Sequence, residues 1–181
     1  MTICLVLGGA RSGKSRFAER RAASIAQDPS DVTYVATARP AQGDRDFDER
    51  IAAHVERRPA QWTTVDELDL VDYLAAPRSG VTLVDDLGTW LTHAFDELAW
   101  EEPPTEKTQR LVDGIESFRE GNRHLIIVSP EVGLSVVPDT RAGRLFQDSL
   151  GALNEHIASA ADEVFLIVAG LPLTLKTPPF Q

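Results

Sequence analysis

The most constraining feature of this sequence is a phosphate-binding motif that directly follows an apolar run. Residues 8–15 read GGARSGKS, which fits the pattern G-x-x-x-x-G-K-S, and residues 3–7 before them are apolar. Glycines let such a loop fold around phosphates with its N–H groups pointing inward, and the helix that follows adds its positive N-terminal end. The motif predicts a strand, a loop and a helix that together bind a nucleoside triphosphate. The alternative is a glycine-rich turn that only connects strand to helix.

The residues of this loop have different expected roles. Lys14 is expected to reach the β and γ phosphates and to act in catalysis, and Ser15 is expected to hold Mg²⁺. Arg11 would meet charge that develops on a leaving phosphate group. The residues expected to contact the nucleotide are Gly8, Gly9, Ala10, Arg11, Ser12, Gly13, Lys14 and Ser15.

A second candidate magnesium ligand is Asp85. The apolar residues 81–84 precede Asp85 and Asp86, as in a Walker B segment. Asp85 is favoured because it directly follows the strand, which we expect to lie beside the phosphate loop. An aspartate at this place could instead cap the N-terminus of a helix, and that alternative is preferred for Asp86.

Short apolar runs alternate with helical patterns along the chain, which predicts an α/β fold. The predicted strands are residues 3–7, 32–36, 81–84, 124–129 and 164–169, with a final edge strand at 171–176. The predicted helices are residues 14–27, 46–57, 67–74, 89–98, 105–119 and 140–159. We therefore expect one domain over residues 1–181, a three-layer sandwich of the P-loop NTPase (RecA-like) type around a mostly parallel central sheet.

Ligands of such sheets collect where the parallel strands end. The phosphate loop, the segment at Thr37 and Ala38, Asp85 and the segment at Pro130 each follow a predicted strand. We therefore expect these segments to converge on one crevice.

Composition restricts the class of protein. The net charge of -10 repels nucleic acids and anionic lipid surfaces, so neither is an expected partner. The single cysteine, Cys4, rules out an internal disulfide and is typical of a reducing compartment. No signal sequence and no membrane-spanning apolar stretch is visible, so we expect a soluble cytoplasmic protein without membrane insertion.

A histidine follows the second predicted strand on a helical pattern. His54 lies at the margin of an apolar face formed by Phe47, Ile51 and Val55, which by itself is typical of a partly buried structural histidine. Its surroundings are more informative, because three segments occur in a fixed order. They are GGARSGKS at 8–15, YVATA at 34–38, and R-I-x-x-H at 50–54 followed by R-P-A-x-W-x-T at 58–64.

This order of segments resembles the bifunctional adenosylcobinamide kinase / adenosylcobinamide-phosphate guanylyltransferase family of cobalamin biosynthesis. The resemblance extends through residues 83–85, 131–133, 137–148 and 160–164, which is nearly the whole chain. It implies that His54 attacks the α-phosphorus of GTP and carries GMP, which then passes to the phosphate of a corrinoid substrate. It also implies GTP contacts beyond the phosphate loop, at Thr37, Ala38, Val55, Glu56, Arg57 and Arg58. Asp66 and Asp85 complete the expected nucleotide site, Asp66 if its carboxylate reads the guanine edge and Asp85 through the magnesium ion. A homotrimer is implied as well.

Some residues depart from the family pattern, and several readings stay open. Pro130 stands where the family commonly has asparagine, and Asp66 stands where glutamate is usual, which keeps the charge but shortens its reach.

Whether ATP or GTP supplies the phosphoryl group is open. The alternatives are a small-molecule kinase without guanylyltransferase activity, which would not need His54, and a nucleotide-binding regulator without turnover. A GTPase switch is disfavoured because the chain contains no Asn-Lys-x-Asp motif.

Overall fold

The computed structural model describes residues 2–38, 58–67, 69–76, 79–118 and 123–177 of the chain. Seven strands form one sheet: β1 (Thr2–Gly8), β2 (Val32–Ala36), β3 (Thr63–Val65), β4 (Gly80–Asp85), β5 (Arg123–Pro130), β6 (Glu163–Val168) and β7 (Leu171–Lys176). The described α-helices are α1 (Lys14–Ile25), α2 (Leu70–Ala75), α3 (Leu87–Glu97), α4 (Thr105–Ser117) and α5 (Arg141–Ala160). A short 3₁₀ turn, Pro29–Asp31, leads into β2.

The strand order across the sheet is β3-β2-β4-β5-β1-β6-β7. All neighbours run parallel except β6 and β7, which are antiparallel. The predicted mostly parallel sheet and the predicted edge strand at 171–176 are therefore confirmed. The short strand β3 was not predicted, because its three residues are largely exposed and carry no apolar run.

The strand that ends in Asp85 was expected beside the phosphate loop. It lies two positions from β1 in the sheet, with β5 between them. Ile126 of β5 pairs with Cys4 on one side and with Leu83 on the other. The cause is that crossover connections carry the chain past several positions, so that order along the chain does not determine order across the sheet.

The side chains of β1 alternate between two buried clusters, one on each face of the sheet. Ile3, Leu5 and Leu7 pack with residues of α2, α3, α4 and α5. Cys4 and Val6 pack on the opposite face, with alanines of α1. Helices therefore cover both faces, which confirms the predicted three-layer sandwich.

Capping side chains determine where three of the helices begin. Asp69, Asp86 and Thr140 each accept a hydrogen bond from a backbone N–H in the first turn of α2, α3 and α5. These bonds satisfy N–H groups that have no partner within the helix. For this reason α3 begins at Leu87, two residues before its predicted start, and α2 begins at Leu70, three residues after its own predicted start. The predicted helix at 46–57 lies outside the described residues.

The thiol of Cys4 gives a test of this core. Cys4 is 1% exposed. Burial and, to a smaller extent, the negative charge of Glu163 raise the pKa of Cys4 to about 12. Because the thiolate is the reactive form, we expect Ellman's reagent at about pH 8 to label the protein only after unfolding. Rapid labelling of the folded protein would contradict this packing, and a Cys4→Ser variant is the control for background reaction.

Candidate active site

The phosphate loop ends at Gly13, which is the N-cap of α1. Gly13 has φ 94°, a left-handed conformation that a side chain would strain. No side chain caps the helix, and its first turn contains no acidic residue. The N–H groups and the positive end of α1 are therefore open to an anion. Lys14 and Ser15 are the first two residues of this helix, so both lie where a bound phosphate group would be.

The turn between β6 and β7 contacts the phosphate loop and supports it. Ala169 and Gly170 both have positive φ, 52° and 80°, as a tight two-residue hairpin requires. The N–H of Gly170 donates to the carbonyl oxygen of Ser12 at 2.8 Å. A Cβ on Gly13 would lie 3.3 Å from the Cα of Gly170, so the two backbones are close together. The phosphate loop is thus attached to the edge of the sheet that β6 and β7 form.

Asp85 lies at the carboxyl end of β4 and faces the start of α1. The Ser15 hydroxyl donates to Asp85 Oδ1 at 3.1 Å, although two strand positions separate β4 from β1. The Tyr34 hydroxyl donates to Asp85 Oδ2 at 2.5 Å, and Asp85 is 8% exposed. The structure therefore brings together the two residues expected to hold Mg²⁺.

These two side chains fit a magnesium ion. A hydroxyl and a carboxylate supply the hard oxygen ligands that Mg²⁺ prefers, and Mg²⁺ is commonly held by one or two protein groups together with substrate phosphates and water. Within the described parts of the chain, no group of three or more His, Cys, Asp or Glu side chains is arranged to hold a metal. The arrangement thus suits an ion that arrives with a nucleotide.

Asp86 has a structural role in the described contacts. Its Oδ1 accepts from the N–H of Thr89 at 3.0 Å and caps α3. Burial raises the pKa of the Asp86 carboxyl, the negative charge of Asp85 raises it further, and the Thr89 bonds and the charge of Lys14 oppose the shift. The helix-cap reading of Asp86 is therefore confirmed.

Thr37 was expected to contact the nucleotide, and its hydroxyl is engaged with the protein here. It donates to the carbonyl oxygen of Asp86 at 2.6 Å and accepts from the N–H of Asp86 at 2.9 Å. These bonds connect the end of β2 to the start of α3. Ala38, the next residue, is half-buried at the same edge of the sheet.

The remaining predicted residues divide into two groups. Arg58 and Asp66 are described: the Arg58 guanidinium carbon lies 3.6 Å from the centre of the Tyr34 ring, and Asp66 is exposed directly after β3. β3 is four positions from β1, so at ~4.8 Å per position these strands are about 19 Å apart. Four predicted residues, His54, Val55, Glu56 and Arg57, lie outside the described residues.

Tyr34 is the site residue that sequence reasoning missed. It was noted only as part of the segment 34–38, yet it donates to Asp85 and lies under Arg58. A signal was present, because Tyr34 is the only aromatic residue in the predicted strand 32–36 and a buried phenol hydroxyl needs a partner. Its partner could not be read from the sequence, since it lies on another strand.

Solved structures share this fold at low sequence identity. The ATPase domain of G40P matches with a TM-score of 0.54 at 12% identity, covering 91% of this chain and 68% of that one. A prototypical ATPase from the type III secretion system of pathogenic bacteria matches with a TM-score of 0.57 at 13% identity, covering 96% of this chain and 56% of that one. These likenesses confirm the P-loop NTPase fold.

No described helix has the length and apolar character needed to span a bilayer.

Sequence relatives cover nearly the whole chain. The bifunctional adenosylcobalamin biosynthesis protein CobP of Pseudomonas aeruginosa is 43% identical over 183 aligned positions, covering 97% of this chain and 98% of the relative. The bifunctional adenosylcobalamin biosynthesis protein CobU of Salmonella typhimurium is 34% identical, covering 95% of this chain and 98% of the relative. The family model described as cobinamide kinase / cobinamide phosphate guanyltransferase matches residues 4–175. The chain therefore belongs to the cobinamide kinase / cobinamide phosphate guanyltransferase family of enzymes.

Proposed function

We propose that this chain catalyses both reactions in the description of its family. The first transfers the γ-phosphoryl group of ATP or GTP to the hydroxyl of adenosylcobinamide. The second transfers GMP from GTP to the resulting phosphate and yields adenosylcobinamide-GDP. The observation that carries this proposal is the contact between Ser15 and Asp85 at the open N-terminus of α1, which suits a nucleotide with its magnesium ion.

The kinase step depends on placement and charge. The substrate oxygen attacks the γ-phosphorus, the bond to the bridging oxygen of the β-phosphate breaks, and the hydroxyl proton is released. N–H groups of residues 8–15 and the ammonium of Lys14 would neutralise charge on the phosphate oxygens. Ser15 and Asp85 would hold Mg²⁺, which when bound polarises the phosphate oxygens.

The guanylyl step needs a nucleophile. A ring nitrogen of His54 attacks the α-phosphorus of GTP, pyrophosphate leaves, and a phosphorus–nitrogen bond forms. A phosphate oxygen of the corrinoid substrate then breaks that bond and takes up the GMP. An unperturbed histidine has a pKa of about 6.5, so at neutral pH most of it is the neutral form that can attack. The support for His54 is the order of segments around it and the family match.

Guanine recognition belongs to the same proposal. Thr37, Ala38 and residues 55–58 would contact GTP, and Asp66 would accept hydrogen bonds from N–H groups on the edge of the base. Asp66 is exposed at the carboxyl end of β3, at the same edge of the sheet as the phosphate loop. A nucleotide bound at the loop would extend along the strand ends toward this carboxylate.

The resemblance to the family also supports a homotrimer. Sedimentation of the purified protein tests it, and a monomer that retains both activities would contradict it.

We also propose a cytoplasmic location, which the single buried thiol and the consumption of nucleoside triphosphates support.

Intact mass spectrometry after incubation with GTP and Mg²⁺ tests the covalent step. We expect the wild-type protein to gain the mass of one GMP, in a linkage that is stable to alkali and labile to acid. His54→Ala is expected to gain nothing, because it lacks the attacking nitrogen. His156→Ala is the matched control, since His156 is exposed on α5 and its ring bonds only the carbonyl of Ala152 among described contacts.

Other outcomes identify the alternatives. An adduct on His54→Ala would place the nucleophile at another residue. Phosphorylation of the corrinoid without any adduct would leave a kinase alone. Tight GTP binding with no release of GDP or pyrophosphate over hours would indicate a nucleotide-binding protein without turnover.

A further inference from the structure

Four side chains form a continuous series of contacts that ends at the proposed magnesium site. The Arg58 guanidinium carbon lies 3.6 Å from the centre of the Tyr34 ring. The Tyr34 hydroxyl donates to Asp85 Oδ2 at 2.5 Å, and Asp85 Oδ1 accepts from Ser15 at 3.1 Å. Tyr34 is 1% exposed, so this series passes through the interior rather than along the surface.

The sheet register explains why Tyr34 reaches Asp85. Strands β2 and β4 are adjacent and parallel, with Tyr34 opposite Leu83 and Ala36 opposite Asp85. Tyr34 therefore shares the face of Leu83 and Asp85, two residues before the end of the strand. A tyrosine ring has two side-chain torsions and is packed in the core, so the position of its hydroxyl is well defined.

The two oxygens of Asp85 have different surroundings. Oδ2 accepts from the buried phenol, whereas Oδ1 faces the Ser15 hydroxyl at the start of α1. A donor on one oxygen fixes the plane of the carboxylate and leaves the other oxygen directed at the nucleotide side. Removing the donor would take away the bond that fixes Oδ2, so the carboxylate could rotate away from the nucleotide side.

Arg58 extends this arrangement to the other end of the site. It directly follows residues 55–57, which the proposed function assigns to GTP contact, and its guanidinium lies over the face of the Tyr34 ring. Stacking of a guanidinium on an aromatic face is favourable and depends on the planar group. The ring thus contacts Arg58, the described end of the segment proposed to bind GTP, while its hydroxyl bonds the proposed metal ligand Asp85.

We propose that Tyr34 is a positioning residue for both transfer reactions: its hydroxyl orients Asp85 toward Mg²⁺, and its ring aligns Arg58 with that carboxylate. The identity of the two reactions in this inference rests on the proposed function, whereas its geometry rests on the described contacts of Tyr34.

The two tyrosines of the chain provide a matched experiment. Tyr73 is also 1% exposed, and its hydroxyl lies 3.2 Å from Thr82 Oγ1 on β4, the strand that carries Asp85. Tyr34→Phe and Tyr73→Phe each remove one buried hydroxyl and keep the ring. The readouts are Mn²⁺ binding in the presence of a non-hydrolysable GTP analogue, measured by electron paramagnetic resonance, and the melting temperature of the metal-free protein.

We expect Tyr34→Phe to weaken Mn²⁺ binding about tenfold, the loss of one charge-assisted hydrogen bond, and Tyr73→Phe to leave it unchanged. The Mg²⁺ concentration for half-maximal GMP transfer should rise by a similar factor, with kcat largely recovered at saturating Mg²⁺. Unchanged Mn²⁺ affinity in Tyr34→Phe, with a melting temperature lowered as in Tyr73→Phe, would overturn the proposal. Formation of the GMP adduct by the wild-type protein tests the proposed function separately.

A double-mutant cycle tests the contribution of Arg58. Arg58→Lys keeps the charge but loses the planar group, and we expect it to weaken binding of the GTP analogue severalfold. The loss should be smaller in the Tyr34→Phe background, which keeps the ring but lacks the hydroxyl that Arg58 also bonds, and disappear in the Tyr34→Leu background, which lacks both. Equal losses in both backgrounds would remove Arg58 from the proposal.

Discussion

Replacement of Lys14 by alanine is expected to lower kcat/KM for both transfer reactions by about 10³-fold or more. Lys14 is the first residue of α1, at the open helix N-terminus. Its positive charge lowers the pKa of the Asp86 carboxyl. Both reactions displace a phosphate-containing leaving group whose negative charge increases in the transition state. Because we propose that one ammonium acts in both reactions, we expect the substitution to slow both.

The matched control for Lys14→Ala is Arg20→Ala. Arg20 is an exposed cation on the same helix, and its removal changes the net charge equally. We expect it to leave both rates close to wild type. Steady-state kinetics with adenosylcobinamide and with its phosphate measure the two reactions separately. If Lys14→Ala abolished only one reaction, the two transfers would use different phosphate sites.

Replacement of Asp85 by asparagine is expected to lower both rates by about 10²- to 10³-fold at millimolar Mg²⁺. The amide has nearly the same shape, but it lacks the negative charge that attracts the cation to Ser15 and Asp85. Higher Mg²⁺ concentrations should restore part of the rate.

The variant Asp86→Asn distinguishes the role of Asp86 from that of the adjacent Asp85. Asparagine caps a helix as well as aspartate does, so α3 should keep its N-terminal hydrogen bond from Thr89. We expect near wild-type rates and an unchanged response to Mg²⁺. A response altered as strongly as that of Asp85→Asn would make both aspartates metal ligands.

Local patterns predicted much of this fold. The run at 3–7 followed by GGARSGKS predicted the order β1, phosphate loop and α1, because a glycine-rich turn and a helix N-terminus are specified by adjacent residues. The other apolar runs located β2, β4, β5 and β6 within a residue or two, since burial on both faces requires continuous apolar sequence. β3 was missed because three partly exposed residues at a sheet edge carry no such pattern.

Contacts within the site were less predictable than its residues. Lys14, Ser15 and Asp85 could be selected by residue type and position after a strand. The helix cap at Asp86 stayed an alternative until the contact with Thr89 was known, since capping and metal binding favour the same residue type. The hydrogen bond from Tyr34 to Asp85 depends on the register of two strands, and these two residues are 51 positions apart in the chain.

The sequence by itself determined the fold class, the family and the candidate nucleotide-binding segments, because these follow from short motifs and from hydrophobic periodicity. Only the tertiary structure decided that β5 separates β1 from β4, that the turn at Gly170 supports the phosphate loop, and that Tyr34 links Arg58 to Asp85. The physical reason is that strand order and cross-strand contacts arise from packing between residues far apart in the chain, which no local pattern encodes.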